Sequence, residues 1–230
     1  MFWLVFSPKW FYGKDIVIDF FSIAVLSLIA VFSLKYYKIN KKNKNYLWFA
    51  ISFILLSISF LFKILTNFTI YYNIVDTKKL GFFTFSYRTV VTSDILFSLG
   101  FLFYILLTLL GFFVLYAIYQ KKYNKKDILL EIYFIIIISY FSISKYFVFH
   151  MTSFVFLALI TFNYFKNYPK KNKNSKILAW SFLIITISQL IFIFVMLTKL
   201  FYVIAEVIQL IGYIVLLTVF IKVVKNAKKK

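Results

Sequence analysis

Cysteine is absent from this 230-residue chain, histidine occurs once, proline twice and glycine five times. Without cysteine there are no disulfides, iron–sulfur clusters or thiolate zinc sites. A single histidine excludes a bis-histidine haem within the chain, and no metal or cofactor is expected. Acidic groups are also few, seven against 27 Lys and Arg. No phosphate-cradling glycine loop, H-E-x-x-H frame or serine nucleophile frame occurs. Almost no catalytic constellation can be assembled from what remains, so the chain is read as a non-enzyme.

What is abundant is apolar side chain. Hydrophobic residues make up 63% of the sequence and charged ones 15%, against ~45–50% apolar in soluble domains. One soluble core of this size could not hide so much apolar surface; a bilayer can. The net charge of +20 sits in short clusters between apolar runs, with no nucleic-acid-binding motif around them. Such clusters belong to cytoplasmic membrane loops facing anionic lipid, and no nucleic-acid partner is expected. The first thirteen residues lack a basic n-region and a small-residue cleavage site, so no removable signal peptide is read there. Trp3, Trp10, Phe11 and Tyr12 suit a membrane interface.

A span needs ~20 apolar residues, because ~30 Å of hydrocarbon is crossed at ~1.5 Å per residue. Seven segments qualify, at about 15–35, 46–66, 93–119, 127–143, 146–165, 177–198 and 200–221. The expected fold is an all-α, polytopic seven-transmembrane-helix bundle forming one membrane domain over residues 1–230. The fourth and fifth segments form one long apolar stretch, broken at Ser142-Ile143-Ser144-Lys145, and are read as a tight hairpin. Lys35–Lys44, Lys121–Lys126, Lys166–Lys176 and Lys222–Lys230 hold 5, 4, 5 and 5 basic residues, against 8 spread over the four opposite segments. The positive-inside rule places the N-terminus outside and the C-terminus in the cytoplasm, in a multi-pass protein of the cell membrane. Residues 67–92 carry two β-prone runs around a polar turn, and fit an external hairpin or an interfacial loop equally well.

Residues 41–65 and 170–194 align without gaps, with 12 identities in 25 positions. Both begin Lys-Lys-Asn-Lys-Asn and share Ala-x-Ser-Phe-x-x-x-x-Ile-Ser-x-Leu, from Ala50 and from Ala179. That offset lays the second helix on the sixth. Helices 1–3 and 5–7 would then form a parallel 3+1+3 repeat, a pattern met in transporters.

Ionisable groups inside apolar spans are costly and mark function by default. Asp19, Lys63, Asp94, His150 and Glu206 each fall within about two turns of the outer end of a span, and could line an outward-facing polar vestibule. The alternative is headgroup contact, expected in particular for Lys63 and Asp94. Tyr202, Glu206, Gln209 and Tyr213 recur at spacings of 4, 3 and 4, which aligns them on one face of the last helix. A carboxyl at that depth must find partners or stay protonated. Glu206 is therefore expected to point into the bundle within reach of Gln189, His150 or Asp19, as a ligand or proton site or, equally, as a helix-packing group. Gln189 and Gln209 should lie at one depth, where a hydrogen bond between them or to Glu206 is worth ~0.6–2 kcal/mol as packing glue. His150, among Phe147, Phe149 and Phe154, reads as a hydrogen-bonded packing residue. Gly100, Gly111 and Gly212 permit close helix approach.

In outline, seven helices with an external N-terminus resemble microbial rhodopsins. Those need a retinal-bearing lysine in the middle of the last helix, and Val203 to Ile221 contains none. The 3+1+3 pattern resembles the SWEET and PQ-loop transporters, which implies small-solute transport. Their Pro-Gln pair is missing, and both prolines, Pro8 and Pro169, lie outside the helices. Ile187-Ser188-Gln189-Leu190 with the run Tyr202 to Tyr213 resembles small seven-helix proteins of archaea, which implies membership and no activity. Three roles follow as expectations. The first is a receptor, sensor or accessory bundle signalling through a protein partner. The second is a small-solute or proton-linked transporter, and the third a structural subunit of a membrane complex.

Overall fold

The computed structural model describes residues 7–41, 43–71, 75–80, 83–88, 90–118, 125–143, 145–166 and 173–227. Among these residues seven α-helices follow one another: α1 (Lys14–Ile39), α2 (Asn45–Tyr71), α3 (Val90–Ala117), α4 (Lys125–Ser142), α5 (Tyr146–Lys166), α6 (Lys173–Ile193) and α7 (Leu200–Ala227). Between α2 and α3 lies an antiparallel hairpin, β1 (Val75–Leu80) with β2 (Phe83–Arg88), in register from Val75↔Arg88 to Leu80↔Phe83. The strand arm of the sequence reading is therefore the one observed. The expected break in the long apolar stretch falls between α4 and α5.

These runs are helical because proline-free apolar sequence in lipid must satisfy every backbone N–H and C=O within the segment. Gly13 starts α1 in the left-handed region, at φ 82°, and Asn40 ends it, donating its N–H to the Tyr36 carbonyl at 2.9 Å. Among the described residues, six helices are long and apolar enough to cross a membrane: α1, α2, α3, α5, α6 and α7. The 18-residue α4, which carries Lys125, Lys126, Asp127 and Glu131, is not in that group.

Side-chain contacts fix the directions. Asp19 meets Lys63 and Ser27 meets Ser57, so α1 and α2 are antiparallel. His150 meets Gln189 and Thr161 meets Thr186, so α5 and α6 are too. Phe101 packs on Tyr146 and Tyr116 on Phe156, so α3 and α5 run parallel. The chain achieves this by returning through α4, from the lysine-rich end of the bundle to the end bearing the hairpin. Neighbouring contacts run α1–α2–α3–α5–α6–α7 and back to α1, with α4 outside the ring against α3 and α5.

The outer surface is apolar: Phe20, Phe21, Ile58, Leu61, Ile187 and Leu190 are all exposed. Exposed apolar surface on this scale calls for a non-aqueous surrounding or a partner. Inside, the half toward the lysine-rich end is filled by one apolar cluster that includes Leu26, Phe53, Leu56, Phe112, Leu157 and Ile185. Two of the close helix approaches lie at glycines in this half. A Cβ on Gly111 would stand 2.9 Å from Leu56, and one on Gly212 would stand 2.6 Å from Ile185. Ser52 Oγ adds a 2.7 Å hydrogen bond to the Gly111 carbonyl.

Candidate functional site: a buried ion cluster

The buried ionisable and amide side chains gather in the half nearer the hairpin. Asp19 lies in the second turn of α1, Glu206 in the second turn of α7, and Lys63 in the last third of α2. Antiparallel packing of α2 against α1 brings all three to one level. Lys63 Nζ donates to Asp19 Oδ1 at 2.7 Å and also to Glu206 Oε1. None of the three is more than 5% exposed. The ammonium further stands 5.3 Å from the centre of the Phe60 ring and 5.8 Å from that of Tyr202, within the range of cation–π attraction.

Lys63 does not reach for headgroups. A lone lysine would snorkel, but here carboxylates from two other helices compensate its charge inside the bundle. The side chain of Asp94 lies outside the described residues, so its place in the expected vestibule is not part of the site. The other four members of that set are buried, Asp19, Lys63 and Glu206 in one ion cluster and His150 beside it.

His150 Nδ1 donates to Gln189 Oε1 at 2.8 Å, joining α5 to α6. Its ring stacks on Phe192 at 4.5 Å and meets Tyr146 edge-on at 4.4 Å. These contacts give His150 a hydrogen-bonded, ring-packed setting inside the bundle. Gln189 makes this bond in place of the expected one to Gln209 or Glu206, because its face of α6, shared with Phe192, is turned to α5. Gln209 Nε2 instead donates to the Tyr213 hydroxyl on its own helix at 3.1 Å. Tyr202 stands against Phe192, ring centres 5.7 Å apart, which connects the histidine pair to the ion cluster through two aromatic rings.

Helical periodicity alone located the α7 stripe of Tyr202, Glu206, Gln209 and Tyr213. It did not locate Asp15, buried on the same face of α1 one turn before Asp19, nor the role of Lys63. The available signal was charge balance: one lysine and two carboxylates at one depth in three apolar helices. In the ion cluster and around His150, the buried atoms Asp19 Oδ2, Glu206 Oε2, His150 Nε2 and Ser153 Oγ have no hydrogen-bond partner among the described residues. Among the described residues no group of three or more His, Cys, Asp and Glu could hold a metal ion.

Apolar helices of membrane length around a buried charged cluster define a multi-pass helical membrane protein. Comparison with protein-family models, curated proteins and solved structures gives no match to this chain.

Proposed function

We propose that the chain is a non-enzymatic seven-span protein of the cell membrane, a receptor- or sensor-like bundle whose ligand site is the Asp19–Lys63–Glu206 cluster near the outer face. The carrying observation is that this cluster ties α2 of the first three helices to α7 of the last three, above an apolar plug. A buried ion triad gives no stability advantage over apolar residues of similar volume. A position that can gain or lose one ionic tie is, however, a two-state element that a ligand can bias. The one-sidedness of the ionisable and amide groups favours sensing, since the buried polar side chains described in the plug half are hydroxyls such as Ser33, Ser52 and Thr161. The α4 helix is the seventh span, short but carrying the chain back across the bundle. Exposed Lys35, Lys38, Lys41, Lys44, Lys222 and Lys225 face the cytoplasm and anionic lipid in this arrangement.

The test labels cysteines placed at Lys44 and Lys166, one in each half, and measures their separation with and without Glu206→Gln. Sensing expects the distance distribution at the lysine-rich end to shift. An unchanged distance at unchanged stability leaves Glu206 a packing residue.

The matching of the two halves favours a second reading, a 3+1+3 transporter. The offset of 129, set by sequence identity alone, carries all nine buried positions of α2 between Ala50 and Thr66 onto buried positions, eight in α6 and the ninth, Val195, in the turn that follows it. An offset of 131 carries the seven buried positions of α1 onto buried positions of α5, Asp19 falling on His150. An offset of 101 pairs the buried Gly111, Phe112 and Leu115 with Gly212, Tyr213 and Leu216. The last offset is smaller because the first half alone carries the hairpin. One equivalent contact recurs, Gly111 on Leu56 and Gly212 on Ile185. In proteoliposomes loaded with a pH dye, transport expects Glu206-dependent proton or solute flux, and sensing expects none.

A further inference from the structure

We infer, resting on that reading of the site, that the ligand presents a small primary ammonium group, which takes Glu206 from Lys63. Three features of the cluster converge on this chemistry. Both carboxylates spend one oxygen on Lys63, while Asp19 Oδ2 and Glu206 Oε2 are buried with no partner among the described residues. Such an unmet acceptor costs ~1–3 kcal/mol, more for a charged group. With all three groups ionised, the cluster is one positive charge short. The cage moreover already holds an ammonium. Two carboxylates and the rings of Phe60 and Tyr202 surround Nζ as they would surround the head of a protonated amine.

Other cations suit it less. Sodium draws nothing from the ring faces comparable to its lost hydration, and a quaternary ammonium has no N–H to give the free oxygens. A divalent ion would face Lys63 directly. With a primary ammonium on Glu206 and Lys63 kept by Asp19, each carboxylate holds one cation and the charge closes. The geometry of this exchange is selective. The Asp19–Lys63 bond lies within the first three helices, whereas Lys63–Glu206 joins α2 to α7. Amine binding therefore cuts the tie between the halves and leaves the internal one intact.

The test is thermal unfolding of the purified full chain in detergent, at fixed pH and ionic strength. It is titrated with methylammonium chloride, and with sodium chloride and tetramethylammonium chloride as controls. The expected result is a saturable rise in Tm with methylammonium alone, absent in Glu206→Gln. In Lys63→Met, where the competing ammonium is gone, methylammonium should reach half-saturation at least tenfold lower. Equal shifts with all three salts, no shift in the wild type, or a shift retained in Glu206→Gln would each overturn the inference. A rise in Tm on acidification without any methylammonium effect would assign the missing charge to a proton and overturn it too. The sensing reading is judged separately, on the Lys44–Lys166 distance in Glu206→Gln. If that distance shifts while methylammonium is inert, the ligand class is wrong and the site stands. If methylammonium binds and the distance never moves, the site binds amines without sensing them.

Discussion

Lys63 shows how far a single side chain can be read before its neighbours are known. Its depth in α2 was legible, and a lysine near a helix end in lipid is ordinarily a snorkelling lysine. Periodicity gives the face of one helix and says nothing of which helix that face meets, so the carboxylates on α1 and α7 stayed out of view. Once they are in place, removal of the cation is the costly change. Lys63→Met leaves two carboxylates facing each other without a counter-charge, and should destabilise the protein by ~3–5 kcal/mol. Replacing all three groups, as Asp19→Asn, Lys63→Met and Glu206→Gln together, should recover most of that loss. Denaturation of the two variants in detergent decides it; a triple variant as unstable as the single one would show that packing, and not charge, holds this region.

At the scale of helices, the spans, the α4–α5 turn and the α7 stripe were legible because each rests on local pattern: apolar length, a polar break, a 3.6-residue period. Pairings were not, because they depend on how helices rotate against each other. Gln189 turned to His150 and away from Gln209 for this reason. The glycines are an intermediate case, since close approach was expected and only the partner was unknown. At Gly212 a Cβ would stand 2.6 Å from Ile185 Cγ1 and 3.3 Å from the Ile185 backbone nitrogen. Neither is the free end of a flexible chain, so α6 and α7 must part. Gly212→Ala should therefore cost ~1–3 kcal/mol by overpacking. Adding Ile185→Ala, which removes Cγ1, should make the second substitution cheaper than it is alone. A double-mutant cycle in thermal or chemical unfolding measures this coupling, and simple additivity would mean that the two helices adjust freely.

For the molecule as a whole, orientation and internal duplication remain the two large claims. The absence of cysteine makes orientation straightforward to check. Single cysteines at Lys42 and Asn124 should be shielded from an impermeant thiol reagent in intact cells, and one at Lys78 should react; the reverse pattern inverts the bundle. Duplication makes a sharper demand. If α5 and α6 repeat α1 and α2, His150 occupies the place of Asp19 and Phe192 that of Lys63, and the observed 4.5 Å stacking of His150 on Phe192 stands where the first half has its ion pair. The second half should then accept the chemistry of the first. His150→Asp alone buries a carboxylate with no cation, and Phe192→Lys alone buries an ammonium with no anion, each a loss of ~3–5 kcal/mol. Together they should form an Asp–Lys pair across α5 and α6, and the double variant should be more stable than the sum of the singles by at least ~2 kcal/mol, within the range measured for contacting residues. Residues that only happen to lie near each other would not bring an aspartate carboxylate and a lysine ammonium into one bond at these two positions. Unfolding of the four proteins in the cycle gives the coupling directly, and a value near zero would make the matching burial of the two halves a product of helical period and composition.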